Sequence, residues 1–172
     1  EFRNESYDYW VLRDVIRDES LTMEERSDAV SEMDKLAENG DMYAQYLMGK
    51  LWRDGPLLIP DSVEARYWFE QAAEQEHIVA QYSLAKLYLS DDADVHDFTK
   101  GIYRLKRSAD NGNDYAAYHM GNIFRDNAPI PAATGIQIDR KRMQELQRKR
   151  IALGRKPDDH ELEPQGYTMQ FH

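Results

Sequence analysis

The chain has 172 residues, no cysteine and a formal net charge of −10, a length that fits one domain or repeat array. The absence of cysteine excludes disulfides and thiolate chemistry. No apolar run approaches the ~18 residues that span a bilayer, and no basic-then-apolar leader is present, so the cytoplasm is the expected compartment. The chain starts at Glu1-Phe2 without a methionine, which we interpret as a cloning scar on a piece of a longer protein.

The first element, residues 1–39, is interpreted as a degenerate N-terminal repeat or cap. Trp10 lies one repeat period before Tyr46, and apolar residues follow it at helical spacing. Thr22 and Glu25 have the spacing of a capping box, which predicts that a second helix starts there and runs to about Glu38.

The second element, residues 40–126, contains a repeat with a period of 36 residues. Small residues recur at the positions of Ala44 and Gly49, and large apolar residues follow at offsets of three and four. The aligned stretches are 36–52, 72–88 and 108–124. A period of this length is typical of stacked helix pairs, here named helix A and helix B. The sequence therefore predicts an all-α, right-handed α-solenoid of antiparallel helix pairs.

After the repeats, the pattern stops. The breaker-rich stretch 127–138 is predicted to be a linker, 139–154 a basic helix that ends at Gly154, and 155–172 a disordered tail. Residues 1–136 carry 14 basic and 26 acidic side chains, whereas residues 137–156 carry 8 basic and 2 acidic ones. The acidity of the first part argues against nonspecific nucleic-acid binding by the repeats.

The repeats resemble the Sel-one-like family, which is related to tetratricopeptide repeats. Ala73-Glu-Gln together with Ala80-Gln81-Tyr82 carries the resemblance, which covers roughly residues 6–126. The chain departs from the family at Glu76, where glycine is preferred, and at Ala85 in helix A. The resemblance implies a non-enzymatic adaptor or scaffold that binds a partner.

A second resemblance concerns origin. Gly55–Asp61, Asn113–Tyr118, Gly135–Arg142 and Ala152–Glu161 are similar to the C-terminal part of MobP-type (MobA/MobL-type) mobilisation relaxases of conjugative elements. That resemblance implies an accessory region beside a DNA-nicking domain. The tyrosine nucleophile with clustered histidines that such a nicking domain needs is not found here.

By resemblance to tetratricopeptide arrays, helix A lines a concave groove. The residues expected to face this groove are Tyr43, Tyr46, Lys50, Arg53, Tyr82, Lys86, Tyr115, Tyr118, Asn122 and Arg125. Aromatic and basic side chains together suit a peptide or protein of acidic character. The alternative for Tyr46, Tyr82 and Tyr118 is packing, because aromatic residues that recur with a repeat usually mark a seam between helices.

The basic segment 137–156 has three interpretations. It could contact nucleic-acid phosphates, it could dock on an acidic neighbour, or it could be a solvated helix face. The candidate nucleic-acid contacts are Arg140, Lys141, Arg142, Arg148, Lys149 and Arg150.

No catalytic or metal-binding motif is recognised. The five histidines show no ligand spacing, and no phosphate-binding loop, nucleophile elbow or zinc-protease motif occurs. We therefore expect no enzyme activity, no metal and no cofactor. Three functions remain: a protein-interaction scaffold, a nucleic-acid-contacting accessory module, or a purely structural spacer or oligomerisation unit. We expect the chain to be a monomer or to self-associate weakly.

Overall fold

The computed structural model describes residues 5–125 and Arg148, and within them every regular element is a helix. The predicted linker 127–138 and tail 155–172 lie outside the described residues, as does the basic helix 139–154 apart from Arg148, which is helical and exposed. The helices, in chain order, are α1 (Glu5–Arg17), α2 (Met23–Glu38), α3 (Met42–Asp54), α4 (Ser62–Glu74), α5 (Ile78–Leu89), α6 (Phe98–Asp110) and α7 (Asp114–Arg125).

The chain divides into two units, residues 1–77 and 78–172. In the first unit α1 packs on α2, α2 on α3, and α3 on α4; in the second α5 packs on α6, and α6 on α7. The odd-numbered helices are the predicted A helices and the even-numbered ones the B helices. None of the seven helices is both long and apolar enough to cross a membrane.

Polar side chains start several of the helices. The capping box predicted for α2 is present: the Thr22 hydroxyl accepts from the backbone N–H of Glu25, and the Glu25 carboxylate accepts from that of Thr22. Asp41 caps α3 by accepting from the backbone N–H groups of Tyr43 and Ala44 at 2.9 and 2.8 Å. Each cap satisfies donors that the first helical turn leaves without a partner.

The predicted small residues of helix A allow a close approach of helix B. A Cβ atom at Gly49 would lie 2.5 Å from a carbon of the Phe69 ring, so this position in α3 requires glycine as long as α4 presents phenylalanine. One period later the same two positions hold Ala85 and Leu105, both wholly buried in the core of the second unit. A smaller partner side chain there leaves room for a methyl group.

Hydrogen bonds between side-chain amides recur inside both units. Gln75 donates to the Gln45 side-chain oxygen at 2.8 Å, and Asn111 donates to the Gln81 side-chain oxygen at 3.0 Å. Gln45 also donates to the carbonyl oxygen of Ala37 at 3.1 Å. Each pair joins the end of a B helix to the A helix of the same repeat. The side-chain oxygen of the buried glutamine thereby gains a hydrogen-bond donor, and burying it without one would cost free energy.

The turn after each B helix requires a left-handed residue. Gly40 and Gly112 have φ values of +99° and +96°, as their Asn-Gly sequences predict, and Glu76 has a φ of +64° at the same place in the middle copy. Side chains other than glycine rarely adopt this conformation, because the Cβ atom approaches the carbonyl oxygen too closely. The departure from the repeat pattern at Glu76 is therefore a point of backbone strain.

We expect Glu76→Gly to raise the free energy of unfolding by about 0.5–1 kcal/mol, because it relieves the strain at an exposed position. Urea denaturation followed by circular dichroism measures this change. Gly40→Ala is the matched control, since nothing lies within 4 Å of the added Cβ and only the backbone conformation opposes it. It should lower stability by a similar amount; a loss of stability in Glu76→Gly would contradict the argument.

Candidate partner-binding surface

A lysine side chain lies over a tyrosine ring at the same repeat position in both units. Lys50 Nζ lies 5.6 Å from the centroid of the Tyr46 ring, and Lys86 Nζ lies 4.9 Å from that of Tyr82. The partners are four residues apart on helix A and therefore share one side of the helix. We call these two contacts the tyrosine–lysine pairs. The third copy has Asn122 in place of the lysine.

Three of the tyrosines expected to face the groove are instead buried. Tyr46, Tyr82 and Tyr115 are 7%, 5% and 6% exposed. The Tyr46 ring stacks on the His77 imidazole at 4.7 Å between centroids, and Tyr82 stacks on Tyr115 at 6.4 Å. Their placement on an open groove surface was therefore wrong, because neighbouring rings cover them. Packing, the alternative that the sequence left open for Tyr46 and Tyr82, accounts for both.

The other candidates that the structure describes are partly exposed: Tyr43, Lys50, Arg53, Lys86, Tyr118 and Asn122. They remain predicted contacts. The Arg125 side chain lies outside the part of the chain whose side chains are described, and so do Arg140, Lys141, Arg142, Lys149 and Arg150.

Arg53 is largely engaged by its own unit. Its guanidinium makes two hydrogen bonds to the Asp54 carboxylate, at 2.8 and 2.9 Å, and lies 5.6 Å from the Phe69 ring centroid. Only 19% of its side chain is exposed. Lys50 and Lys86 are therefore the stronger candidates for contact with a ligand.

His77 was missed as a site residue by the sequence interpretation. It is 2% exposed, and burial lowers its pKa from 6.5 to about 4 by removing water from the charged imidazolium. Its ring also meets Tyr43 edge-on at 5.6 Å. A signal was available, because His77 occupies the repeat position of Asp41 and Asn113, which both cap helices.

In the second unit, His119 lies beside the tyrosine–lysine pair. Its ring meets Tyr82 edge-on at 6.2 Å. Burial and the positive charge of Lys86 both lower the pKa of His119. Because the histidine is kept neutral at neutral pH, the ammonium of Lys86 supplies the positive charge at this point of the surface.

The phenol next to the first pair also stays neutral. Burial and the nearby Asp41 carboxylate raise the pKa of Tyr43, so its hydroxyl remains protonated and able to donate a hydrogen bond. Within residues 5–125, no group of three or more histidine, aspartate or glutamate side chains is arranged to hold a metal ion. The surface thus offers ammonium groups and amphipathic rings, which favour carboxylate ligands.

The repeats are similar to those of a known family. Residues 43–77 and 78–113 each match the family model described as the Sel1 repeat. No curated protein matches the chain.

Two solved structures share the fold. One is a Sel1 repeat protein from Oxalobacter formigenes, with a TM-score of 0.61 and 24% identity over 69% of this chain and 34% of that one. The other is described as a protective antigen present in uropathogenic Escherichia coli strains and displaying an SLR fold, with a TM-score of 0.69 and 22% identity over 87% of this chain and 31% of that one. The chain thus spans about a third of the length of each. These similarities confirm the predicted fold class, an all-α solenoid.

Proposed function

We propose that this chain, with its two matched Sel1 repeats, is a non-catalytic protein-interaction scaffold that holds an acidic peptide or protein on its A helices. Proteins built of Sel1 repeats generally mediate contacts between proteins, which supports the general part of the proposal. The acidic character of the ligand and its place on the A helices are the specific part, and they rest on this chain's own residues.

The observation that carries the proposal is the recurrence of the tyrosine–lysine pair in both units. A ring below an ammonium group attracts it by about 0.5–1 kcal/mol at an exposed site, so the lysine is held in place before a ligand arrives. A carboxylate that meets a lysine already held loses less side-chain entropy on binding. Each unit carries one such lysine, and each lysine is suited to a carboxylate group of a ligand.

The test is a selection of peptides from a random library on the immobilised full chain, followed by fluorescence anisotropy of the enriched peptides. We expect enrichment of glutamate and aspartate. The double variant Lys50→Glu with Lys86→Glu should weaken binding at least about tenfold, since each substitution replaces an attraction by a repulsion.

Lys35→Glu on α2 is the control, because it makes the charge change of one of these two substitutions at an exposed helix B position. It should leave the affinity within about twofold, as is usual for a charge outside the contact. Equal weakening by the control and the A-helix variants, or a selection with no acidic preference, would refute the proposed site.

We propose as a second function that the chain contacts nucleic acid, and the excess of basic residues in segment 137–156 is the observation that favours this function. The segment supports an origin in a mobilisation relaxase, a cytoplasmic protein in which it would contact DNA phosphates beside the nicking domain. Single-stranded DNA binding at low and moderate salt, compared between the full chain and a version that ends at Ala128, tests it. Salt-sensitive binding by the full chain alone would support the relaxase origin; no binding by either would reject this function.

A further inference from the structure

One B helix, α6, has a net positive charge, whereas the B helices α2 and α4 have a net negative charge. In α6, four basic residues accompany a single acidic one, Asp110. In contrast, α2 carries six acidic and two basic residues, and α4 carries three acidic and one basic. One helix in an otherwise acidic part of the chain is therefore positively charged.

The inversion occurs at matched repeat positions and spares the core. Lys100 stands where the earlier copies have Glu64 and Asp28, and Lys106 where they have Glu70 and Asp34. The buried positions keep their apolar character, as the series Met33, Phe69 and Leu105 shows. Since the same fold accepts acidic residues at the position of Lys100, this lysine is not required for packing; the position of Arg107 holds Gln71 and Lys35 in the earlier copies.

The basic side chains form a stripe around an exposed aromatic ring. Lys100, Tyr103 and Arg107 are all exposed and follow one another at offsets of three and four, which puts them on one side of α6. Tyr103 is 44% exposed, and the guanidinium of Arg104 lies 5.7 Å from its ring centroid. Lys106, which lies outside the stripe, forms an ion pair with Asp110.

We infer that this stripe, formed by Lys100, Tyr103, Arg104 and Arg107, is a docking surface for an acidic segment of a protein partner. Guanidinium and ammonium groups bind carboxylates by charge-assisted hydrogen bonds, and an exposed tyrosine supplies apolar contact with a hydrogen-bonding tip. The stripe is on a B helix, and its use requires no contact at the tyrosine–lysine pairs.

The charge distribution favours a short acidic segment over a nucleic acid. Salt screens charges beyond about 8 Å at physiological ionic strength, so a compact ligand meets mainly the stripe itself. A polyanion that extends past α6 within the second unit would meet the acidic loop before the helix, which carries Asp91, Asp92, Asp94 and Asp97. Tyr103, which adds no charge, contributes equally to a peptide contact at any salt concentration.

The test uses the full chain and a short fluorescein-labelled helical peptide with glutamates on one face around a single leucine. We expect anisotropy to show binding that weakens at least about tenfold in Lys100→Glu with Arg107→Glu, and roughly threefold in Tyr103→Ala. The milder pair Lys100→Gln with Arg107→Gln keeps the test decisive if charge reversal impairs folding. The same peptide with glutamine in place of glutamate should not bind.

Lys35→Glu is the matched control, because Lys35 occupies the repeat position of Arg107 on α2. It should bind like the wild type. A loss of binding in Lys50→Glu with Lys86→Glu, but not in the α6 variants, would assign the peptide to the tyrosine–lysine pairs and overturn this inference. Equal loss in the Lys35 control would show that net charge alone governs binding and would overturn the inference. The choice of an acidic protein segment as the ligand would be overturned if the chain bound single-stranded DNA more strongly than this peptide. It would also be overturned if sedimentation showed dimers that the α6 variants abolish.

Discussion

Replacement of Phe69 by alanine is expected to lower the free energy of unfolding by about 3–5 kcal/mol, because it empties a wholly buried ring site. The ring packs against the backbone of Gly49 and lies 5.8 Å from the Tyr46 ring centroid. Glycine has no side chain that could move into the space, so the cavity would persist. Urea denaturation followed by far-ultraviolet circular dichroism measures the loss.

Tyr67→Ala is the control for this prediction. Tyr67 is two residues away on the same helix, but it is 49% exposed and packs edge-on against Trp68 at 5.0 Å. We expect its removal to cost no more than about 1 kcal/mol, since little buried volume is lost. If both variants lost the same stability, the seam between α3 and α4 would not depend on the ring of Phe69.

Acidification from pH 7 to pH 4 is expected to remove about 3 kcal/mol of stability through His77. The pKa of the buried imidazole is about 4, whereas that of the unfolded chain is near 6.5, so the unfolded state binds more protons between these values. Stability therefore falls as the pH drops through this window and changes little further, as far as His77 is concerned, below pH 4. Denaturation midpoints measured across the window give the slope.

The variant His77→Asn isolates this contribution, because asparagine is the residue found one period later at position 113. Between pH 7 and pH 4, this variant should lose about 3 kcal/mol less stability than the wild type. Asp34 acts in the opposite direction, since burial and the charges of Glu38 and Glu64 raise its pKa, but it is present in both proteins and cancels. An identical pH dependence in the two proteins would show that His77 is not the titrating group.

The helices could be predicted from the sequence because their cause is local and recurs. Small and large apolar residues at fixed offsets define each A helix, and Thr22 with Glu25 marks the start of α2. The two Asn-Gly pairs predicted the left-handed turns at Gly40 and Gly112, whereas the left-handed conformation of Glu76 was seen only in the structure.

The candidate site could be predicted only in part, because exposure depends on residues far along the chain. Tyr46 lies on the side of α3 that the resemblance to tetratricopeptide arrays assigns to the groove, but His77 covers its ring from 31 positions away. The spacing of Lys50 and Lys86 was visible in the sequence, whereas their positions over tyrosine rings were not. An amphipathic pattern shows which side of a helix a residue is on, and only packing shows what lies against it.

The side chains that meet between an A helix and its B helix differ in size from one repeat to the next, and this difference opposes misfolding by exchange of helices. Neighbouring repeats with similar cores can exchange helices and trap the chain in a swapped arrangement. Here α5, with Ala85, would collide with Phe69 if it took the place of α3 against α4, and α3, with Gly49, would leave a gap against Leu105 if it took the place of α5 against α6. Both α3 and α5 therefore fit the B helix of their own repeat best, and the pairing of glycine with phenylalanine and of alanine with leucine distinguishes the correct partner from its near copy.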